Sequence, residues 1–194
     1  MLSPAMTAPQ ECPLDIETTR LILRCLAPEA IQAGLSADFR TLEERLGARV
    51  PIDLAEDPAV LRFAQAQLDV DVHYLPWSVR AVIHKQSMQM IGHVRFHSRP
   101  DPEYLRPYAR NAVELGYVVF APHRRQGYAR EALAGAMQWA LEMHSVELFV
   151  ASVSPHNLPS LNLIAKFGFQ KVGEEFDAID GVEHVYLRDV TVRS

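Results

Sequence analysis

The chain has 194 residues, 48% of them hydrophobic, and a net charge of −5, the profile of one ordinary globular domain with enough apolar material for a substantial core. The acidic balance excludes a general nucleic-acid binder, which needs a clustered excess of Lys and Arg against the phosphate backbone, although a local basic pocket is still allowed. Cys12 and Cys25 are too few for a disulfide framework and lack CxxC spacing, so a reducing compartment is expected, and no stretch approaches the ~20 apolar residues of a membrane span.

Residues 1–16, rich in Pro, Ala and Ser without apolar periodicity, read as a flexible tail, which leaves 17–194 as a single domain. Met1 to Pro13 lacks the basic start and apolar run of a secretory signal, so the expectation is a soluble, cytoplasmic protein. A first strand is expected over Thr19 to Leu26. Pro28 opens a mixed stretch in which Ala37 to Leu46 and Pro58 to Leu68 carry apolar residues at helical intervals, separated by a loop at Pro51. Trp77 to Ile83 and Met88 to His97 read as paired strands around Lys85-Gln86-Ser87, and Arg99 to Asn111, with its prolines and charges, as an exposed loop.

The second half is more regular. Ala112 to Phe120 is a β-rich apolar run, Gly127 to Met143 has helical apolar spacing, and Val146 to Val153 is a further strand, so a strand-helix-strand unit is expected. Asn157 to Lys166 reads as a short helix ended by Gly168, followed by strands Phe169 to Phe176 and Val182 to Thr191 around Asp180-Gly181. The element order predicts an α/β (α+β) fold: a single-domain mixed sheet, parallel where the long helix crosses over, mostly antiparallel elsewhere, and flanked by helices.

The junction between the strand ending at Phe120 and the helix beginning near Gln126 combines three anion-binding devices. Helix-start N–H groups have no internal partners, the helix dipole adds partial positive charge, and Gly127 with Ala129 leaves the backbone open to a bulky anion. Arg124 and Arg125 add formal charge. An ordinary basic turn before a helix has the same composition.

Arg124-Arg125-Gln126-Gly127-Tyr128-Ala129 resembles the R/Q-x-x-G-x-G/A loop with which GNAT acetyltransferases bind the coenzyme A pyrophosphate. Glu114-Leu115-Gly116-Tyr117-Val118-Val119 with Pro122 is similar to that family's central strand. Ser154-Pro155-His156-Asn157 and Phe167-Gly168-Phe169 resemble its later strand-to-helix turn and closing Gly-Phe. Thr19 to Arg24 resembles the opening strand of the ribosomal-protein alanine N-acetyltransferase branch, so the likeness runs from about Glu17 to Val190.

The resemblance implies an acetyl-CoA-dependent N-acetyltransferase, with acetyl-CoA as co-substrate and a primary amine, on a protein N-terminus or a small molecule, as acceptor in a ternary complex. It places the pyrophosphate on the amides of Arg125, Gln126, Gly127, Tyr128, Ala129 and Arg130 beside Arg124, and the pantetheine arm along Tyr117, Val118 and Val119. Asn157 would bond the cofactor or merely cap its helix, and Tyr117 and Val119 also fit ordinary core positions. Glu114 is the candidate general base, with a salt-bridged structural role as its rival. The family's usual proton-donor Tyr falls at Ile164, so that donor is missing. Ser160 is then the candidate donor to the leaving sulfur, beside a structural role in the first helical turn or donation by water.

The missing Tyr keeps a second reading open, a non-catalytic acyl-CoA-binding module. A different nucleotide-binding protein lacks its signatures, GxGxxG and GxxxxGK[ST]. No metal is expected: His93 and His97 lie four apart on a strand, about 13 Å, too far to share an ion. With Arg95 they form one strand face, a polar surface or part of the acceptor side. Acceptor recognition is expected from the helical block, from Tyr74 and Trp77 as an aromatic wall or as buried packing, and from the loop Arg99 to Arg110. Neither nucleic acid nor membrane is an expected partner; dimerisation, common in the family, is an expectation.

Overall fold

The computed structural model describes residues 15–56, 58–177 and 181–192. Eight strands form one sheet: β1 (Ile16–Glu17), β2 (Leu21–Cys25), β3 (Arg80–His84), β4 (Gln89–Phe96), β5 (Ala112–Val119), β6 (Leu148–Val153), β7 (Gln170–Asp177) and β8 (Gly181–Asp189). Their order is β1-β2-β3-β4-β5-β6-β8-β7, with β5 and β6 parallel and the other neighbours antiparallel. The mixed, mostly antiparallel sheet is therefore as expected. Order already includes Asp15 and Ile16, inside the range assigned to the tail, because Asp15 ion-pairs with Arg24 and Ile16 pairs with Leu23 and buries its side chain; residues 1–14 lie outside the described residues.

Between β2 and β3 lie α1 (Pro28–Leu35), α2 (Phe39–Leu46), α3 (Ile52–Glu56), α4 (Ala59–Val70) and a 3-10 segment, Val72–Trp77. The helix α1 was not expected: Pro28 looks like a breaker but occupies the first turn, where its missing N–H costs nothing. Ala37 is left-handed and Asp38 caps α2 by accepting from the Thr41 N–H, so this helix starts at Phe39 and not at Ala37. Trp77 ends the 3-10 segment, and the strand begins only at Arg80. Tyr74 and Trp77 are 1% and 4% exposed, so they are packing residues and form no aromatic wall. The loop 99–111 is not wholly exposed either: a 3-10 turn, Glu103–Leu105, buries Leu105 in a small cluster with Ala112, Val150 and Val185.

The crossover α5 (Tyr128–His144) joins β5 to β6, and α6 (Leu158–Ala165) follows β6. Alternation along β4 separates two faces. Phe96 meets Trp139 of α5 at 5.8 Å, whereas Arg95 and His97 point the other way, toward Phe63 of α4 at 4.3 and 5.7 Å. The α6 stop works as read: Gly168 sits at φ 77, beyond the last turn. The closing turn expected at Asp180 lies outside the described residues.

One departure from regularity positions the site. β5 and β6 pair only through Ala112↔Leu148, Val113↔Phe149 and Glu114↔Val150. Beyond that point β5 continues on β4 to Val119 and β6 continues on β8 to Val153, so the two strands part and leave a V-shaped opening with Glu114 at its apex.

Candidate active site

The opening is a cleft of about 1020 Å³ bounded by β5, the loop before α5, the first turn of α5 and the first half of α6. On the β5 side its wall is strand backbone that has lost its ladder partner, a ready edge for a polar chain. Tyr117, Val118, Val119, Arg124, Arg125, Gly127, Tyr128, Ala129, Arg130, Asn157 and Ser160 all line it, which brings together nearly every residue expected at the cofactor. Gln126 is the exception. Its carbonyl accepts from Arg20 Nη1 and its side chain turns back to the Pro122 carbonyl, so it faces the rear of the loop and any part it has is through its backbone.

The loop conformation follows from its residues. Arg125 (φ 61) and Gly127 (φ 81) are both left-handed, and Gly127 takes the N-cap position of α5 without a side-chain cap. A glycine meets that φ without strain, and the uncapped first amides of a 17-residue helix stay available to an anion. The cleft wall carries Arg124, Arg125, Arg130 and Lys166 and no carboxylate, a local reversal of the chain's net −5 that favours a polyanion. The loop is tied to the sheet from behind. Glu131 accepts from Thr18 Oγ1 at 2.7 Å and from the Arg20 backbone N–H and Nε at 2.6 Å each, and the Arg20 guanidinium stacks 4.4 Å over the Tyr128 ring.

Across the cleft, the Asn157 side chain accepts from the Ser160 N–H at 3.2 Å, the N-cap that its position before Leu158 implies, while still lining the cavity. Ser160 Oγ in turn accepts from the Tyr117 hydroxyl at 3.0 Å. Tyr117 and Val119 both pack, half-buried, against the main core, and the Tyr117 hydroxyl also links β5 to α6. Burial raises the Tyr117 phenol, and the Ser160 hydrogen bond offsets part of that.

At the apex Glu114 is 5% exposed, and Oε2 lies 3.3 Å from His97 Nδ1. Of the expected readings of Glu114, the structure contains a buried carboxylate partnered by a second side chain. Burial alone would raise the carboxyl, but the His97 hydrogen bond and charge, with hydroxyls from Ser152 and Tyr104, hold it below the usual carboxylate range. His97, Tyr104 and Ser152 were not singled out by sequence as partners of Glu114. His97 could have been found by counting the β4–β5 register, which sets it opposite Glu114 with a backbone bond from His97 N–H to the Glu114 carbonyl. Among the described residues no group of three or more His, Cys, Asp or Glu could hold a metal ion.

The chain matches the acetyltransferase (GNAT) domain family over residues 20–170. It belongs to the GNAT acetyltransferases. The N-acetyltransferase YoaA of Bacillus subtilis is 28% identical over 161 residues, which cover 81% of this chain and 84% of YoaA. With two other Bacillus subtilis N-acetyltransferases, YjdG and YnaD, the match spans about half the relative's length, 48% and 45%. Among solved structures, RimL, a ribosomal L7/L12 α-N-protein acetyltransferase in complex with coenzyme A, superposes with a TM-score of 0.62 at 16% identity, covering 91% of this chain and 98% of RimL. The ribosomal-protein-S5-alanine acetyltransferase of Vibrio fischeri gives 0.61 at 17% identity, covering 91% and 96%. These likenesses establish a GNAT fold. Among the described residues no helix is long and apolar enough to cross a membrane.

Proposed function

We propose that this GNAT domain transfers the acetyl group of acetyl-CoA to a primary amine, on a small molecule or a protein N-terminus, by direct attack in a ternary complex. One observation carries the reading: a basic, uncapped helix start faces a cleft whose β5 wall, Tyr117 to Val119, begins three residues beyond the buried Glu114, the last β5 residue paired with β6. A pyrophosphate held by the first amides of α5, with Arg124, Arg125, Arg130 and Lys166 around it, leaves the pantetheine arm to run along the unpaired edge of Tyr117 to Val119. The thioester then reaches the neighbourhood of Glu114, where a free β5 N–H can polarise its carbonyl.

An amine is a nucleophile only after losing its extra proton, and the pair formed by Glu114 and His97 supplies the basic group at that point. The leaving thiolate needs a proton. Ser160 is its nearest candidate donor, and the Tyr117 hydroxyl behind it supplies the replacement, a substitute for the aromatic donor that Ile164 cannot be. The acceptor enters from the face that carries His93, Arg95 and His97 beside α4, opposite α5. Two cysteines without CxxC spacing supply no disulfide framework, which is in keeping with a reducing, cytoplasmic location. The relatives give no support to a non-catalytic module, and thiol release from acetyl-CoA across a panel of amines and peptides tests the point. Amine-dependent release with a 42-dalton gain on the acceptor, about one acetyl group, is expected; release that ignores every amine would count against the proposal.

A further inference from the structure

His97 is unusual in its second nitrogen. Nδ1 lies 3.3 Å from Glu114 Oε2, whereas Nε2 is buried and meets no hydrogen-bond partner among the described residues. An imidazole nitrogen kept from water without a partner is costly, and such groups need a packing or functional reason. The ring sits where it does because position 116 is glycine. A Cβ there would lie 3.3 Å from Arg95 Nε and 2.7 Å from His97 Nε2, closer than a Cβ can stand, so only glycine lets the two side chains close over the β5 backbone at this point. Gly116 lies two residues past Glu114, where β5 has already left β6. Phe63 covers the outer side of both residues, yet the His97 side chain keeps 28% of its surface exposed, on the acceptor face.

We propose that His97 Nε2 is the atom that takes the proton from the acceptor amine, with Glu114 acting through Nδ1 as the residue that positions the ring. The proposal rests on the acetyltransferase reading of the cleft. A carboxylate that accepts from Nδ1–H fixes the tautomer whose lone pair is on Nε2, the arrangement general-base imidazoles use. The depressed Glu114 carboxyl agrees with an orienting anion better than with a base of its own. The acceptor ammonium gives one proton to Nε2, and its freed lone pair attacks the thioester carbonyl carbon. The C–N bond forms as the C–S bond breaks and the amine nitrogen sheds its second proton to solvent. The thiolate takes a proton from Ser160, which recovers one from solvent through the Tyr117 hydroxyl, and the imidazolium returns its own to solvent, so that amide, thiol and one released proton are the products. The titratable and charged groups around His97 are Glu114 on β5, Arg95 on β4 and Tyr104 in the 103–105 turn, while α4 presents the uncharged Phe63 ring.

The test compares His97→Gln, Glu114→Gln and Gly116→Ala in pH profiles of thiol release, with an alanyl hexapeptide and spermidine as acceptors. In His97→Gln the amine kcat/KM should fall at least 100-fold and the acidic limb of the profile should vanish. In Glu114→Gln the loss should be about tenfold, with the limb retained. Gly116→Ala should slow transfer at unchanged acetyl-CoA affinity. A limb that persists in His97→Gln and vanishes in Glu114→Gln would overturn the proposal. Nitrogen-15 spectra of the His97 ring decide the same question without an acceptor: a proton on Nδ1 at neutral pH supports it, and one on Nε2 overturns it. No acetyl-CoA binding by the wild type would defeat the acetyltransferase reading instead, a distinct outcome.

Discussion

The two parts of the proposed active site are built in opposite ways. At the proposed cofactor end the device is local: consecutive residues from Arg124 to Arg130 supply the amides, the charge and the left-handed turns, and α5 supplies the dipole. Around Glu114, the proposed acceptor end, the device is assembled from distant segments, with Phe63 from α4, His97 from β4, Tyr104 from a loop, Glu114 from β5 and Ser152 from β6. Backbone recognition of a constant ligand can be carried by a short motif. Side-chain recognition of a variable one is set by register and packing, which change without touching that motif.

If this division is right, damage at the cofactor end should abolish acetyl-CoA binding, and damage at the apex should spare it. The largest effect is expected for Gly127→Val, which puts a β-branched residue at φ 81 and a side chain toward the pyrophosphate position; acetyl-CoA affinity by calorimetry should fall at least about 100-fold, with the fold retained by circular dichroism. Glu114→Gln is the complement: amine-dependent kcat should fall by at least about tenfold while acetyl-CoA Kd stays within about twofold. A large rise in Kd in that variant would break the comparison.

Ser160→Ala and Tyr117→Phe sharpen it from the middle of the cleft. Each removes one hydroxyl of a 3.0 Å pair, so each should lower kcat by roughly 3- to 10-fold, and the double variant by little more than either alone if they act as a unit. The smallest effect belongs to the tether behind the loop. Glu131→Gln weakens a carboxylate that accepts from Thr18 and twice from Arg20, for about 1–3 kcal/mol of stability at neutral pH, or roughly 2–4 °C in Tm per kcal/mol. Burial raises the Glu131 carboxyl, but the Thr18 and Arg20 bonds outweigh it and hold it below the ordinary value. Its stabilisation is therefore complete above the ordinary carboxylate range and lost as pH falls through the depressed folded value. The Tm gap between wild type and Glu131→Gln should close at low pH.

The same contrast explains what the sequence made legible. The strand-helix-strand unit is visible because α5 buries Ala132, Leu133, Ala136, Met137 and Ala140 at helical spacing between two apolar strands, and the Gly127 turn is punctuation of a kind that needs no tertiary context. Asn157 as an N-cap and Gly168 as a stop are equally local. The α1 helix was hidden because Pro28, a breaker by composition, is harmless at a first turn. Nothing local marks His97 as the partner of Glu114. Their contact follows from a β4–β5 register in which Arg95 faces Gly116, and a one-residue slip would have turned His97 to the α5 face. The Tyr117 hydroxyl meets Ser160 only because β5 and β6 part, a feature of strand pairing that composition does not carry.

The most direct measurement is a crystal structure of the chain with coenzyme A bound. The pyrophosphate is expected on the amides of residues 125–130, the pantetheine along Tyr117 to Val119, and the sulfur between Ser160 and the Glu114 apex. Coenzyme A bound elsewhere, or in the cleft with its sulfur turned away from the apex, would contradict this account.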